Sequence, residues 1–172
     1  MIFETDRLLV RQYSSDEFEN FFRLNGDPEV VRYIRPVQNR EEAMDAFQKL
    51  QEDYLKKPGY GRWAAHLKSN GEFVGSFAII SLPWDEKKIQ MGYAFPKENW
   101  GKGFATELLL KGLKHGTDNL SLTEIYGITE VPNIASQKVL LKAGFEFQSV
   151  YKEKGIDLNV YLFKNKSPRL SE

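Results

Sequence analysis

No cysteine occurs in the 172 residues. That excludes disulfides, thiolate metal sites and a catalytic thiol, and is compatible with a reducing compartment. Histidine is nearly as scarce: His66 and His115 stand alone in different predicted elements, so the reading places no metal in the protein. Net charge is missing too. Twenty-four basic residues balance twenty-four acidic ones, so nothing at this level marks a nucleic-acid or anionic-membrane partner. Long apolar runs are absent, since Phe77-Ala78-Ile79-Ile80 falls far short of the ~20 residues that span a bilayer. Glu4, Asp6 and Arg7 interrupt the start before any signal-peptide core forms. Repeats, low-complexity tracts and linkers are lacking as well. What is present, a hydrophobic share of 41% and a charged share of 28%, describes one globular domain over residues 1–172, expected to be soluble and cytoplasmic, as a monomer or homodimer.

Periodicity divides the chain into three stretches. Leu8 to Tyr13 reads as a strand. Ser14 and Glu17 have capping-box spacing before a helix carrying Phe18, Phe21 and Phe22, and Asn39 with Glu42 repeats the signal before Ala43, Phe47, Leu50 and Tyr54. From Tyr60 the period shortens. Strands at Trp63–Lys68, Phe73–Leu82 and Ile89–Phe95 are joined by a turn at Ser69–Glu72 and a polar loop at Pro83–Lys88, which makes an antiparallel meander. Gly75 interrupts the second of these as a bulge or close-approach point. The third stretch alternates: a helix through Ala105, Leu108, Leu109, Gly112 and Leu113; a strand at Glu124–Glu130; a helix from Asn133 to Ala143; strands at Phe145–Tyr151 and Ile156–Phe163; and a loose polar tail over residues 164–172. The expected fold is α/β, with a mixed, mostly antiparallel sheet of about seven strands flanked by helices.

Between the meander and the alternating stretch lies a corner, Gly92 to Glu107, in which a strand ends, Pro96 starts a turn, and Gly101-Lys102-Gly103 leads abruptly into a helix. Helix starts present unpaired N–H groups and partial positive charge, and glycines let backbone approach a ligand closely, so the corner suits a pyrophosphate. A P-loop is excluded because Gly103 follows Gly101-Lys102 where Ser or Thr belongs, and Pro96 stands where the first glycine belongs. A dinucleotide fingerprint is disfavoured. Thr106 takes the third glycine's place, a meander precedes the corner, and too little chain follows for a doubly wound sheet.

Trp100-Gly101-Lys102-Gly103-Phe104-Ala105 resembles the coenzyme A pyrophosphate loop of the GNAT N-acetyltransferase superfamily. Asn133-Ile134-Ala135-Ser136 and, beyond the helix, Ala143-Gly144-Phe145 resemble its second signature. The opening Glu4-Thr5-Asp6-Arg7-Leu8-Leu9-Val10-Arg11 is similar to that of the branch containing ribosomal-protein N-terminal acetyltransferases, and Phe73-Val74-Gly75 and Met91-Gly92-Tyr93 fall where that branch has matching strands. The resemblance covers nearly the whole chain. It departs at Gln90, where relatives often carry an acidic residue, so a general base expected there is missing.

The resemblance implies a GNAT fold splayed between the fourth and fifth strands, and direct acetyl transfer from acetyl-CoA to a primary amine, either a protein N-terminus or a small amino-acid-like amine. Backbone from Trp100 through Gly101, Lys102, Gly103, Phe104 and Ala105 would hold the diphosphate, and Tyr93, Ala94 and Phe95 the pantetheine and thioester oxygen. Asn133 is either a plain N-cap or also a cofactor contact. Ser136 would protonate the departing thiolate, Glu130 is the candidate base, and Tyr33 and Trp84 are candidate walls of the acceptor pocket, although Trp84 could equally pack on the early helices. The alternative is a silent acyl-CoA-binding module that kept the loop and lost the base.

Overall fold

The computed structural model describes residues 1–166. Its strands are β1 (Phe3–Glu4), β2 (Leu8–Arg11), β3 (Gly61–Leu67), β4 (Phe73–Leu82), β5 (Asp85–Ala94), β6 (Glu124–Glu130), β7 (Glu146–Glu153) and β8 (Ile156–Lys164). Its helices are α1 (Phe18–Asn25), α2 (Pro28–Val31), α3 (Arg40–Lys56), α4 (Phe104–Asn119) and α5 (Ile134–Lys142). All eight strands form one sheet, ordered β1-β2-β3-β4-β5-β6-β8-β7. Every described pair is antiparallel except β5 and β6, which run parallel and meet at a single register position, Gln90 with Tyr126. Among the described residues, no helix is long and apolar enough to cross a membrane.

The two faces of the sheet bury different sets. One core gathers Trp63, Phe77, Ile79 and Met91 with Leu108, Leu109 and Leu113 of α4 and Leu140 of α5. The other gathers Tyr13, Ala64, Phe73 and Ala94 with Phe18, Phe21 and Leu24 of α1 and Ala43 and Phe47 of α3. Alternation along each strand sends neighbouring residues to opposite cores. The capping box of α3 forms as expected: Asn39 accepts from the Glu42 N–H at 2.9 Å, and Glu42 returns to the Asn39 N–H at 2.8 Å.

Several expectations change. The sheet has one more strand than the expected seven, because Phe3 and Glu4 pair with Val10 and Leu9; two residues are too few for a periodicity signal. The loop expected over Pro83–Lys88 shrinks to Pro83-Trp84, since Asp85 already pairs with Leu82 and a bulge absorbs the residues that follow. The helix expected from Ser14 begins at Phe18. Glu17 does bond to the Ser14 N–H at 2.9 Å, but it also holds Arg11 at 2.6 Å and His66 at 2.7 Å. Three partners converge on Glu17 and pin it at the β2–β3 edge, so the capping spacing closes a turn instead of starting a helix. Lys164, expected in the loose tail, is the last residue of β8, and the Asn165 N–H bonds to the Thr123 carbonyl at 2.9 Å. The rest of that tail, residues 167–172, lies outside the described residues.

Candidate active site

The parting of β5 and β6 sets the site. Beyond Gln90 and Tyr126 the two strands have no described register partners, so the edges that Met91–Ala94 and Gly127–Glu130 turn toward each other stay open. Each strand is supported on its outer side, β5 by β4 up to Ser76 with Ala94, and β6 by β8 up to Glu130 with Leu158. A ligand can therefore enter between them without unpicking the sheet, and backbone groups on those edges gain partners when it does. A Cβ added at Gly92 would meet nothing within 4 Å, so this edge is also uncrowded.

The chain leaves β5 through the turn Pro96–Trp100 into the glycine corner. Gly101 and Gly103 both take positive φ, 72° and 79°, a region in which an L side chain is strained. Gly103 is the N-cap of α4 and no side chain caps the helix, so its first-turn N–H groups and the positive end of its dipole face the corner. Side chains brace the loop from behind. The Trp100 indole donates to the Phe95 carbonyl at 2.7 Å, Asn99 donates to the Val74 carbonyl at 3.1 Å, and the Lys102 ammonium donates to Asn99 at 2.9 Å. Phe104 is buried in the α4 core, so what it and Ala105 offer a ligand is backbone.

A clamp that sequence reasoning did not foresee fixes this helix start to the opening of the chain. Glu107, in the first turn of α4, accepts from Thr5 Oγ1 at 2.5 Å, the Arg7 N–H at 2.9 Å and Arg7 Nε at 2.6 Å. Arg7 also donates to the Lys102 carbonyl at 3.0 Å and lies over the Phe104 ring, 4.6 Å from its centroid. Burial pushes the Glu107 carboxyl up, but the Thr5 and Arg7 hydrogen bonds outweigh it and hold it below its usual value. No local pattern could reveal a partner a hundred residues away.

Across the opening, Asn133 N-caps α5 by accepting from the Ser136 N–H at 3.2 Å. The capping reading of Asn133 holds, and it fixes Ser136 in the first turn. The Tyr93 hydroxyl on β5 is buried and faces the Ser136 hydroxyl without closing a well-formed hydrogen bond to it. Burial raises its pKa, and the nearby Ser136 hydroxyl draws it part of the way back. Tyr93 and Ser136 thus approach each other over the β5–β6 gap, and Glu130 ends β6 three residues before Asn133. Gln90 is tethered to β4 through its amide, at 3.4 Å from the Ser81 carbonyl. The acceptor candidates are further out. Tyr33 follows α2 with the Arg32 guanidinium over its ring. Trp84 stacks on Tyr151 of β7 with ring centroids 4.2 Å apart, not on the early helices. Because β6 and β8 separate β5 from β7 in the sheet order, that stack ties two hairpins together across one face. A concavity of about 390 Å³ lies on β7 and β8 and includes none of these residues.

Open backbone at the carboxyl ends of a parallel strand pair, beside an uncapped helix start, is an arrangement suited to an extended, phosphate-bearing ligand. The family described as acetyltransferase (GNAT) domain matches residues 7–146. The chain is 30% identical over 169 residues to the uncharacterized N-acetyltransferase YoaA of Bacillus subtilis, covering 97% of this chain and 91% of that protein. In architecture it is similar to RimL, a ribosomal-protein α-N-acetyltransferase solved with coenzyme A (TM-score 0.77, 17% identity, 95% and 97% of the two chains). It is also similar to a spermidine N-acetyltransferase from Vibrio cholerae solved with coenzyme A and spermine (TM-score 0.75, 17% identity, 91% and 95%). The chain belongs to the GNAT acetyltransferase family.

Proposed function

We propose that this protein transfers the acetyl group of acetyl-CoA directly to a primary amine while both substrates are bound. The observation that carries this reading is the opening between β5 and β6, which has the glycine corner at one side and Tyr93, Ser136 and Glu130 around it. The donor supplies an activated acyl carbon, and the chain supplies everything else. Backbone N–H groups of the α4 start hold the diphosphate, and the open β5 edge through Tyr93, Ala94 and Phe95 aligns the pantetheine and polarises the thioester oxygen. In the transfer the amine nitrogen bonds to the carbonyl carbon, the carbon–sulfur bond breaks, the nitrogen loses a proton and the sulfur gains one. Ser136 gives the sulfur its proton, assisted by the Tyr93 hydroxyl, a reading supported by the approach of the two hydroxyls at the opening.

Glu130 takes the proton from the amine through water. An α-amine, with a pKa near ~8, needs little more than that relay, whereas a lysine amine near ~10.4 needs a stronger base. The reading therefore favours an α-amine or a small amino-acid-like acceptor, with Tyr33 and Trp84 at its entrance. Relatives of this fold span both a protein α-amine and a polyamine, so the fold alone does not choose. One monomeric or homodimeric domain in the cytoplasm suffices for this activity.

Release of free coenzyme A from acetyl-CoA, measured across a panel of amines and peptides, tests the reading. Turnover with at least one amine supports it, and Glu130→Gln should then depress the alkaline-rising limb of the turnover–pH profile. An unchanged profile removes Glu130 from the mechanism. The neutral Gln90 favours a second reading, a silent acyl-CoA-binding module, which predicts tight acetyl-CoA binding and no turnover with any acceptor.

A further inference from the structure

A second polar site lies on the face covered by α1 and α3, and none of the residues assigned above to acetyl transfer lines it. A pocket of about 290 Å³ opens there, lined by Asn25, Arg35, Gln38, Lys49 and Arg62 among others. Its construction is specific. Buried Asn25 donates to the Phe21 carbonyl at 2.8 Å, which turns its oxygen toward Arg35, and Arg35 Nη1 donates to that oxygen. The Gln38 N–H bonds to the Asn25 carbonyl at 3.0 Å, pinning the segment between α2 and α3 onto the end of α1. On the sheet side, Tyr54 donates to the Arg62 carbonyl at 2.5 Å and accepts from the Tyr13 N–H at 3.2 Å.

The charges inside are unbalanced. Among the described residues, neither Arg35 nor Arg62 forms an ion pair, although each lies in the electrostatic range of the other. The carboxylate at the wall, Asp53, is paired with Lys56 at 3.9 Å instead, and Lys49 adds a third positive charge at the exposed side. Arg35 Nη2 and Gln38 Oε1 are buried at the pocket without partners, and Tyr13, in the electrostatic range of both arginines, has its buried hydroxyl facing that of Ser76. Holding two partly buried guanidinium groups within electrostatic range of each other is costly unless something negative joins them. That cost shows in the arginines themselves: burial, then the charge of Arg62, brings Arg35 down to about 9, and burial lowers Arg62 as well.

We propose that this pocket is an anion site, in which Arg35 and Arg62 grip a carboxylate or phosphate group of a small molecule. Planar guanidinium forks suit both groups, and a Gln38 amide rotated by half a turn supplies a further donor. The anion has two possible sources. Arg62 is in register with Ala78 of β4, and Ala78 with Gly92 of β5; cross-strand partners share a face, so Arg62 stands two strand spacings, about 10 Å, from the opening on the same side as Gly92. The anion is then either the acidic end of the acetyl acceptor or a separate effector.

The test is binding, so it stands or falls apart from acetyl transfer. Wild-type protein is melted in inorganic phosphate, citrate or succinate against sodium chloride at matched ionic strength. A saturable rise of about 5–10 °C at a hundredfold excess over Kd is expected for at least one of these anions. Arg62→Met should abolish that rise while melting no lower than wild type in chloride, because it removes a partly buried positive charge that has no ion pair. Lys49→Gln, at an exposed position that folding does not depend on, should weaken the response several-fold and serves if Arg62→Met does not fold. No saturable response in wild type, a response unchanged in both variants, or an Arg62→Met melting point lowered equally in all buffers each overturns the site. In acetylation assays, competition between phosphate and the acceptor amine identifies the acceptor's own carboxylate as the occupant. A phosphate effect that does not compete with the amine identifies an effector.

Discussion

The donor corner and the pocket under α1 and α3 both present positive potential, yet they are built in opposite ways. At the corner the one nearby arginine is neutralised: Arg7 is held by Glu107 at 2.6 Å, and the attraction for an anion comes from uncapped backbone N–H groups at the start of α4. In the pocket the attraction comes from side chains, with Arg35 and Arg62 lacking ion pairs beside a Gln38 amide oxygen and an Arg35 nitrogen that have no partner. A backbone site is rigid and indifferent to what the rest of the ligand is, which suits a donor common to a whole family. A side-chain site carries specificity, which suits whatever distinguishes this protein's acceptor or effector. If this contrast is right, the corner should fail when backbone is displaced, and the pocket should fail when charge is removed.

The largest effect is expected where a new atom pushes directly on the β5 backbone. Gly75 on β4 is confirmed as a close-approach point: a Cβ there would sit 2.5 Å from the Ala94 carbonyl and 2.4 Å from Phe95 Cδ1. The ring can swing, but the carbonyl belongs to the backbone of β5, whose other edge lines the opening. Gly75→Ala should therefore lower unfolding stability by about 3 kcal/mol in urea titrations and weaken coenzyme A binding together with it. It should leave the anion response of the Arg35–Arg62 pocket intact in whatever protein remains folded. Loss of both responses in equal measure would merge the two regions into one.

A smaller effect is expected at the clamp. Glu107→Gln keeps the shape and one acceptor oxygen but removes the charge that holds Arg7. With Arg7 half exposed, the loss should be about 1.5 kcal/mol of stability. The pH dependence follows from the lowered Glu107 pKa. A carboxyl whose folded value lies below its unfolded one contributes fully above the unfolded value, and the contribution disappears as pH falls through the folded value. Wild type should thus lose stability on acidification below about 4.5 more steeply than Glu107→Gln, measured as melting temperature against pH. Parallel curves would show that Glu107 carries no net electrostatic role at the corner.

The same contrast explains what the sequence made legible. The corner could be read because backbone sites leave glycines and helix starts in fixed order, as Gly101, Gly103 and Asn133 do. The meander and the strand–helix alternation were legible for a similar reason: periodicity reports on which face is buried. The pocket could not be read. Arg35 sits in an irregular connector and Arg62 at a strand position where an exposed arginine is the ordinary expectation; only the tertiary packing of α1 against α3 brings them together and partly covers them. The Thr5–Arg7–Glu107 clamp and the Trp84–Tyr151 stack were hidden by sequence distance. Ser14 and Glu17 misled for the converse reason, because a local pattern was outcompeted by the ion pair with Arg11 and the contact with His66.

The smallest predicted change probes the one place where the donor side departs from its own rule. Tyr93 brings a side-chain hydroxyl, buried and only loosely matched to Ser136, to the β5–β6 opening, so it is the donor side's counterpart of the unpartnered groups in the pocket. A buried hydroxyl whose hydrogen bond is not well formed contributes little stability, and its desolvation opposes folding. Tyr93→Phe should accordingly fold as well as wild type or up to about 1 kcal/mol better in the absence of ligand. If the hydroxyl serves the bound acetyl donor or Ser136, the same variant should lower kcat for acetyl transfer several-fold while changing the melting temperature little. A variant that is clearly destabilised without ligand would mean that the hydroxyl has a structural partner, and the distinction between a backbone-built donor site and a side-chain-built pocket would then extend to Tyr93 without exception.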